Sequence, residues 1–324
     1  HDGAGSRRLS PFEPRTRHRP GADDNPGMSA PWMMVLASLL FATMGVCVKL
    51  ASAHYATGEI VFYRGLTGVL LMWGFARWQG GTLRTSLASM HFWRSLSGVT
   101  ALCLWFYAIG NLPLATAMTL NYMSSVWMAL FLVGGAIMLG SQRVDGRLIA
   151  TILLGFAGVG LILRPTIEQD QLWHGLIGLL SGMISATAYL QVTALGRAGE
   201  PEFRIVFYFS CGGIAAGALT MLWTGITPHR TLEGPALLLA VGLLATVAQL
   251  LMTRAYGTGR TLVNASLQYL GIAFAFVYGV LLFDERITWM SLAGMVLIVA
   301  AGLGASLLRS RAAPADATQS TFEG

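Results

Sequence analysis

The chain has 324 residues, 54% of them hydrophobic and only 11% charged, where a soluble domain carries about a quarter charged. A fold in water could not bury so much apolar surface, and a lipid bilayer is the solvent that suits it. The net charge of +6 comes from basic residues scattered singly or in pairs between apolar runs, a pattern that excludes a nucleic-acid-binding face.

Residues 1–30 read as a polar leader, expected to be disordered. They are rich in Pro, Arg and Gly and lack the apolar stretch of a secretory signal. Met28 directly precedes the first apolar run, and the natural start is expected there, with 1–27 an upstream extension. Crossing about 30 Å of hydrocarbon takes roughly 20 helical residues. Ten runs meet that demand: 32–52, 58–78, 92–110, 114–139, 147–163, 173–195, 203–224, 236–256, 262–283 and 289–308. Pro31, Pro113, Pro165, Pro201, Pro228 and Pro235 fall at or outside the ends of these spans. A proline inside one would break a backbone bond that lipid cannot replace. Asn111 and Pro113 make the short join at 110–114 a tight turn. Residues 309–324 are a short tail, also expected to be disordered. Cys47, Cys103 and Cys211 all lie inside apolar runs, too scattered for a disulfide framework or a zinc site.

Arginine placement sets the expected orientation. With the N-terminus inside, sixteen arginines face the cytoplasm, among them the five of the leader, Arg77, Arg84, Arg94, Arg197 and Arg204. Only Arg164, Arg230 and Arg286 face outward. Both termini are therefore expected in the cytoplasm.

The chain repeats itself near its midpoint. Ile60-Val61-Phe62-Tyr63 recurs as Ile205-Val206-Phe207-Tyr208, Ala42-Thr43 as Ala186-Thr187, and Leu120-Asn121-Tyr122 as Leu267-Gln268-Tyr269. The offset stays near 145 positions across three pairs of spans. Each half holds five spans, an odd number, so the second half inserts upside down relative to the first. The expected fold class is thus an all-α membrane protein of ten transmembrane helices, built as two inverted five-helix repeats over 31–165 and 171–308. Such repeats rock about a shared axis and open a midplane site to either face in turn.

Arg64 stands out as a charge about five residues inside the second span, where hydrocarbon makes it costly without a cavity or a partner. It can bind a substrate carboxylate, pair with Glu59, or snorkel to the headgroups. Lys49, near the outer end of the first span, is expected to snorkel. Amides and aromatic residues at mid-span depth can form a polar pocket or bond helix to helix. Of these, Tyr63, Trp105, Tyr107, Asn121, Tyr122, Tyr189, Tyr208, Gln268 and Tyr269 are, with Arg64, the candidate substrate-binding residues. The pairs Asn121-Tyr122 and Gln268-Tyr269 occupy equivalent places in the two halves, as do Tyr63 and Tyr208. Gly178–Gly182 and Gly213–Gly217 have the four-residue spacing of closely packed helices.

No Asp or Glu sits at mid-span depth, no Walker-type glycine loop occurs, and no His-Glu-x-x-His or Ser-His-Asp set is present. An enzyme is not expected, nor a cofactor or a metal. The expected partners are a small-molecule substrate and the bilayer, with no nucleic acid.

Several segments resemble the EamA-type ten-helix members of the drug/metabolite transporter superfamily. They are Glu59-Ile-Val-Phe-Tyr-Arg64-Gly-Leu, Leu104-Trp-Phe-Tyr-Ala108 running into Leu112-Pro-Leu-Ala115, Leu120-Asn-Tyr122, Gly155-Phe-Ala-Gly158-Val-Gly160 and Leu281-Leu-Phe-Asp-Glu285-Arg. The resemblance covers about 31–308. It implies a multi-pass carrier of the bacterial inner membrane for a small polar or zwitterionic metabolite, such as an amino acid or a derived compound, some of them metal chelators. Export is the favoured direction. Uptake, as of S-adenosylmethionine or riboflavin, is the alternative within the family. A proline common after the fourth- and ninth-span Tyr is absent here, where Ser124-Ser125 and Gly271-Ile272 stand.

Overall fold

The computed structural model describes residues 29–138, 146–168, 170–228, 232–258 and 267–312, and every regular element among them is a helix. In chain order these are α1 (Ala30–Ala51), α2 (Thr57–Trp78), α3 (Ala88–Asn111), α4 (Leu114–Tyr122), α5 (Ser124–Met138), α6 (Gly146–Glu168), α7 (Leu172–Arg197), α8 (Glu202–Thr224), α9 (Glu233–Thr258), α10 (Leu270–Phe283) and α11 (Trp289–Ala312). With α4 and α5 counted as one interrupted unit there are ten. Five stretches, 30–51, 114–135, 172–197, 202–224 and 233–255, are long and apolar enough to cross a bilayer, and three shorter ones are apolar throughout. The helices α2 and α3 fall outside both groups; they carry Arg64 and Arg94.

The outer surface is what lipid requires. Leu70, Leu153, Leu219, Leu222 and Val296 are exposed. Trp32, Trp78, Trp93, Trp173, Trp223 and Trp289 are exposed at helix ends, where amphipathic rings sit at the headgroup level. The interior is centred on α4, buried along its whole length.

Three features differ from the sequence expectation. The span 114–139 is broken at Met123, and the ninth helical unit turns at Tyr269 before α10. Neither break needs a proline. Val126 N–H bonds back to Met123 and Ile272 N–H to Tyr269 in tight three-residue turns. Helix α6 runs through Pro165 to Glu168; one missing N–H in a last turn is cheaper than one at mid-helix. Helix α11 continues to Ala312, into the segment expected as a disordered tail. The leader up to Met28 and residues 313–324 lie outside the described residues.

Packing pairs the two halves rather than each half with itself. The closest associations are α2 with α8, α6 with α11, α1 with α9 and α3 with α7. Next come α2 with α9 and α3 with α8, then α1 with α10, α4 with α7 and α4 with α10. Exchanging the first five helical units for the last five maps each of these pairings onto another or onto itself. Two of the self-mapped pairs, α2 with α8 and α6 with α11, meet backbone to backbone. A Cβ on Gly65 would sit 2.7 Å from Ser210 O, and one on Gly217 2.7 Å from Gly58 O. A Cβ on Gly158 would sit 2.8 Å from Gly294 O, and the reverse contact is 2.6 Å. Small residues permit this approach where lipid offers no hydrophobic drive.

Polar ties close both ends of the bundle. At one face, Glu59, fully buried, accepts from Thr227 N and Oγ1, each at 2.7 Å, and from Ala56 N at 3.3 Å. Nearby, Asp284 takes a left-handed turn (φ 50°) after α10, and the Glu285 carboxylate caps α4 by accepting from Leu114 N at 2.9 Å. Lys49 Nζ lies 2.9 Å from Glu285 Oε1 and donates to Leu112 O at 2.6 Å. Lys49 therefore does not snorkel as expected: a carboxylate and a carbonyl within reach hold it better than headgroups do. At the opposite face Arg204 donates to Thr82 O at 2.8 Å and to Glu200 Oε2 at 2.9 Å. Thr85 Oγ1 donates to Glu200 Oε1 at 2.5 Å. Burial would push the Glu200 carboxyl up, but the Thr85 and Arg204 hydrogen bonds and the Arg204 charge hold it below the usual carboxylate range. Positions 59 and 204, and positions 82 and 227, are each 145 apart, so the two ties join equivalent positions at opposite ends of α2, a carboxylate accepting in one and a guanidinium donating in the other.

Candidate functional site

Between the halves lies a cavity of ≈ 60 Å³, walled by α1, α2, α3, α7, α8 and α9 and by the breaks at Tyr122 and Gln268. At about 15 Å³ per water it holds roughly four waters. Its apolar wall includes Phe41, Trp105 and Phe209, and its polar groups include Arg64, Arg94, Asn121, Tyr189, Gln249 and Gln268.

Arg64 is 4% exposed. Its guanidinium carbon lies 5.0 Å from the centre of the Phe209 ring, and Nη2 donates to Gln249 Oε1 at a long 3.4 Å. Phe209 stands at the repeat equivalent of Arg64, one position after Tyr208 as Arg64 follows Tyr63. Arg94 stacks on the same ring at 4.4 Å and is 3% exposed. Assigned by sequence to the cytoplasmic end of its span, it is instead folded into the cavity. The reason is local. Gly98 lies one turn further along α3, and a Cβ there would collide with Arg94 Nη1. Arg64 Nε, Arg94 Nε and Arg94 Nη1 are buried with no hydrogen-bond partner among the described residues.

Of the sequence candidates, Arg64, Trp105, Asn121, Tyr122, Tyr189 and Gln268 line the cavity. Asn121 also ties the α4 break to α7, donating to Ser181 Oγ at 3.1 Å and Ser185 Oγ at 3.2 Å. Tyr189 and Gln268 hydrogen-bond each other across the cavity. The other four lie elsewhere. Tyr63 packs edge-on against Phe62. Tyr107 packs on His174. Tyr208 stacks on His91 at 4.6 Å and donates to Leu83 O. Tyr269 lies behind Tyr122, rings 6.5 Å apart. Sequence reasoning missed Arg94 and Phe209; the arginine-to-glycine spacing of one helical turn was the available signal.

Among the described residues no acidic side chain lines the cavity, and no group of His, Cys, Asp and Glu could hold a metal ion. The site is a positive chamber with neutral hydrogen-bonding walls. It can grip an anion, stack a planar or aliphatic body on aromatic rings, and orient the rest through amides and hydroxyls.

A family model described as the EamA-like transporter family matches the chain twice, over residues 28–164 and 172–307. The pseudopaline exporter CntI of Pseudomonas aeruginosa is 32% identical over 85% of this chain and 94% of its own. A riboflavin transporter of Rhizobium johnstonii is 28% identical over 71% of this chain and 74% of its own. An S-adenosylmethionine uptake transporter of Rickettsia bellii is 23% identical over 76% and 82%. A solved crystal structure of a protein superposes with a TM-score of 0.59 at 17% identity, over 88% of this chain and 99% of that one, a likeness of fold alone.

Proposed function

We propose that this chain, which belongs to the EamA-like transporter family, exports a small metabolite bearing at least one carboxylate, an amino acid or a compound derived from one, by alternating access. That it is a multi-pass membrane carrier of the drug/metabolite transporter type follows from the family; cargo and direction are our reading. The observation that carries it is the cavity between the halves, with the guanidinium of Arg64 in its wall and no carboxylate paired with it among the described residues. A buried charge without a counterion is retained when function needs it. The similarity to a pseudopaline exporter over nearly the whole of both chains supports export.

Alternating access is supported by the exchange of helix pairings between halves and by the ties Glu59–Thr227 and Arg204–Thr82 at equivalent positions. Both fit two five-helix repeats inserted in opposite senses, with both termini in the cytoplasm. The Glu59 tie then lies at the outer face and the Arg204 tie at the inner face. Release of one while the other holds opens the cavity to one side. An anionic cargo also suits export without an intramembrane carboxylate. An inside-negative potential drives each negative charge outward by about 2.3 kcal/mol per 100 mV.

The test is Arg64→Ala in proteoliposomes, with amino acids and derived metabolites screened as cargo. Transport of the wild-type cargo should be lost while the variant still inserts and purifies as a monodisperse protein. Wild-type flux from the variant removes Arg64 from the mechanism; no flux of any metabolite from the wild type removes the proposal.

A further inference from the structure

We propose that the cargo carries two anionic groups, one held by Arg64 and the other by Arg94, and lies lengthwise between them; this rests on the carrier reading above and specifies its substrate class. Both side chains are more than nine-tenths buried, and both line the cavity. Between them three guanidinium nitrogens have no hydrogen-bond partner among the described residues. A structural arginine in a dry interior is normally neutralised by a carboxylate or saturated by carbonyls. Neither condition holds here. Arg64 has one long bond to a neutral amide. The buried carboxylates that could have served are engaged elsewhere, Glu59 with Thr227, Glu200 with Arg204 and Thr85, and Glu285 with Lys49 and Leu114.

The two cations enter from opposite faces. Arg64 lies seven positions into α2, whose first turn is at the Glu59 tie. Arg94 lies six positions into α3, which begins at the Thr85 tie. At 1.5 Å per residue each Cα is about 10 Å inside its own face, leaving about 10 Å between the two levels of a 30 Å layer. Phe209 fills part of that interval and stacks with both guanidinium groups. Stacking occupies the flat faces and leaves the N–H edges for ligand, the geometry in which arginine takes a carboxylate by two parallel bonds. Both guanidinium carbons lie within 5.0 Å of one ring centre, so two like charges share a low dielectric, and a cargo with one anion would leave the pair with a net positive charge. A dicarboxylic amino acid or its longer homologues supplies an anion at each end. The uncharged Gln249, Gln268, Tyr189 and Ser185 then face its middle, where an amine or hydroxyl would sit.

The experiment compares matched pairs that differ only in one carboxylate: glutamate with glutamine, and 2-aminoadipate and 2-aminopimelate with their side-chain amides. Thermal stabilisation of the purified protein gives the affinities, and counterflow in proteoliposomes shows which compounds move. At least one diacid should bind tenfold or more tightly than its amide. In Arg94→Gln that preference should fall to about one, by weakening of the diacid alone, while Arg94→Lys restores part of it. Ligand-free melting points of both variants guard against misfolding. Equal or better binding of the amides overturns the two-anion inference, as does a preference that survives Arg94→Gln or a panel in which no diacid binds. If amides or other single-anion metabolites are carried at the same time, the transporter reading stands without it. If nothing the protein binds is ever moved, that reading falls instead.

Discussion

Arg94 shows how one glycine can decide where a charge points. Two positions inside its predicted span, an arginine would ordinarily lift its head to the interface. The Cβ missing at Gly98 opens the inward route, and the guanidinium takes it to reach Phe209. Gly98→Ala should therefore evict Arg94 without unfolding the protein, because the severe overlap is with the far end of a flexible side chain and the Phe209 ring has to give by only a few tenths of an ångström. We expect the apparent KM to rise about tenfold, equivalent to about 1.4 kcal/mol of lost binding, with an unchanged melting point; proteoliposome kinetics and a thermal melt on one preparation check both. Arg64 was legible in sequence because a lone charge amid apolar residues announces itself. Arg94 was not, because a basic residue at a span end has an ordinary explanation. Tyr63 and Tyr208 were equivalents by repeat, but equivalence does not decide which way a side chain faces. The one-residue step from each tyrosine to Arg64 and Phe209 is the step into the cavity.

At the scale of elements, the apolar runs located the ends of the described helices to within a few residues because hydrocarbon thickness leaves little choice of length; the start of the ninth run, at 262, lies outside the described residues. The breaks at Met123 and Tyr269 were not legible. They arise from tertiary contact, with Asn121 drawn to Ser181 and Ser185 and the backbone of α4 pressed onto Gly182 of α7. The α2–α8 seam gives a sharp comparison within one helix. A Cβ on Gly65 would meet the backbone of α8 at 2.7 and 2.8 Å, whereas one on Gly74 would meet nothing within 4 Å. Gly65→Ala should destabilise by about 1–3 kcal/mol, the usual range for overpacking. Gly74→Ala should be neutral or stabilise by up to about 1 kcal/mol through helix propensity. Melting curves of the two variants in one detergent separate the predictions, and equal shifts would contradict the seam.

For the whole molecule, the repeat was legible from three short matches, but the pairing of helices across the halves was not, since periodicity says which face is apolar and not what covers it. The ties at the two faces lead to a cross-linking expectation. In a background with Cys47, Cys103 and Cys211 replaced, cysteines at Glu59 and Thr227 should cross-link and stop flux, and a pair at Thr82 and Arg204 should do the same. Each should leave binding accessible from the unlocked face alone, read by ligand protection in vesicles of known orientation. Full flux with either pair locked would exclude alternate opening at these ties.

The glycine seams bear on how such a machine turns. Interfaces made of interlocking side chains move by jumping from notch to notch, each jump with its own barrier. Along α2–α8 and α6–α11 the glycines form notches, and Ser210, Thr220, Phe62, Ile162 and Ile298 are seated in them, so a rolling helix has to lift each of these side chains past its glycine. On the carrier reading proposed above, the barrier to the swing is then shared between these notches and the polar ties at the two ends.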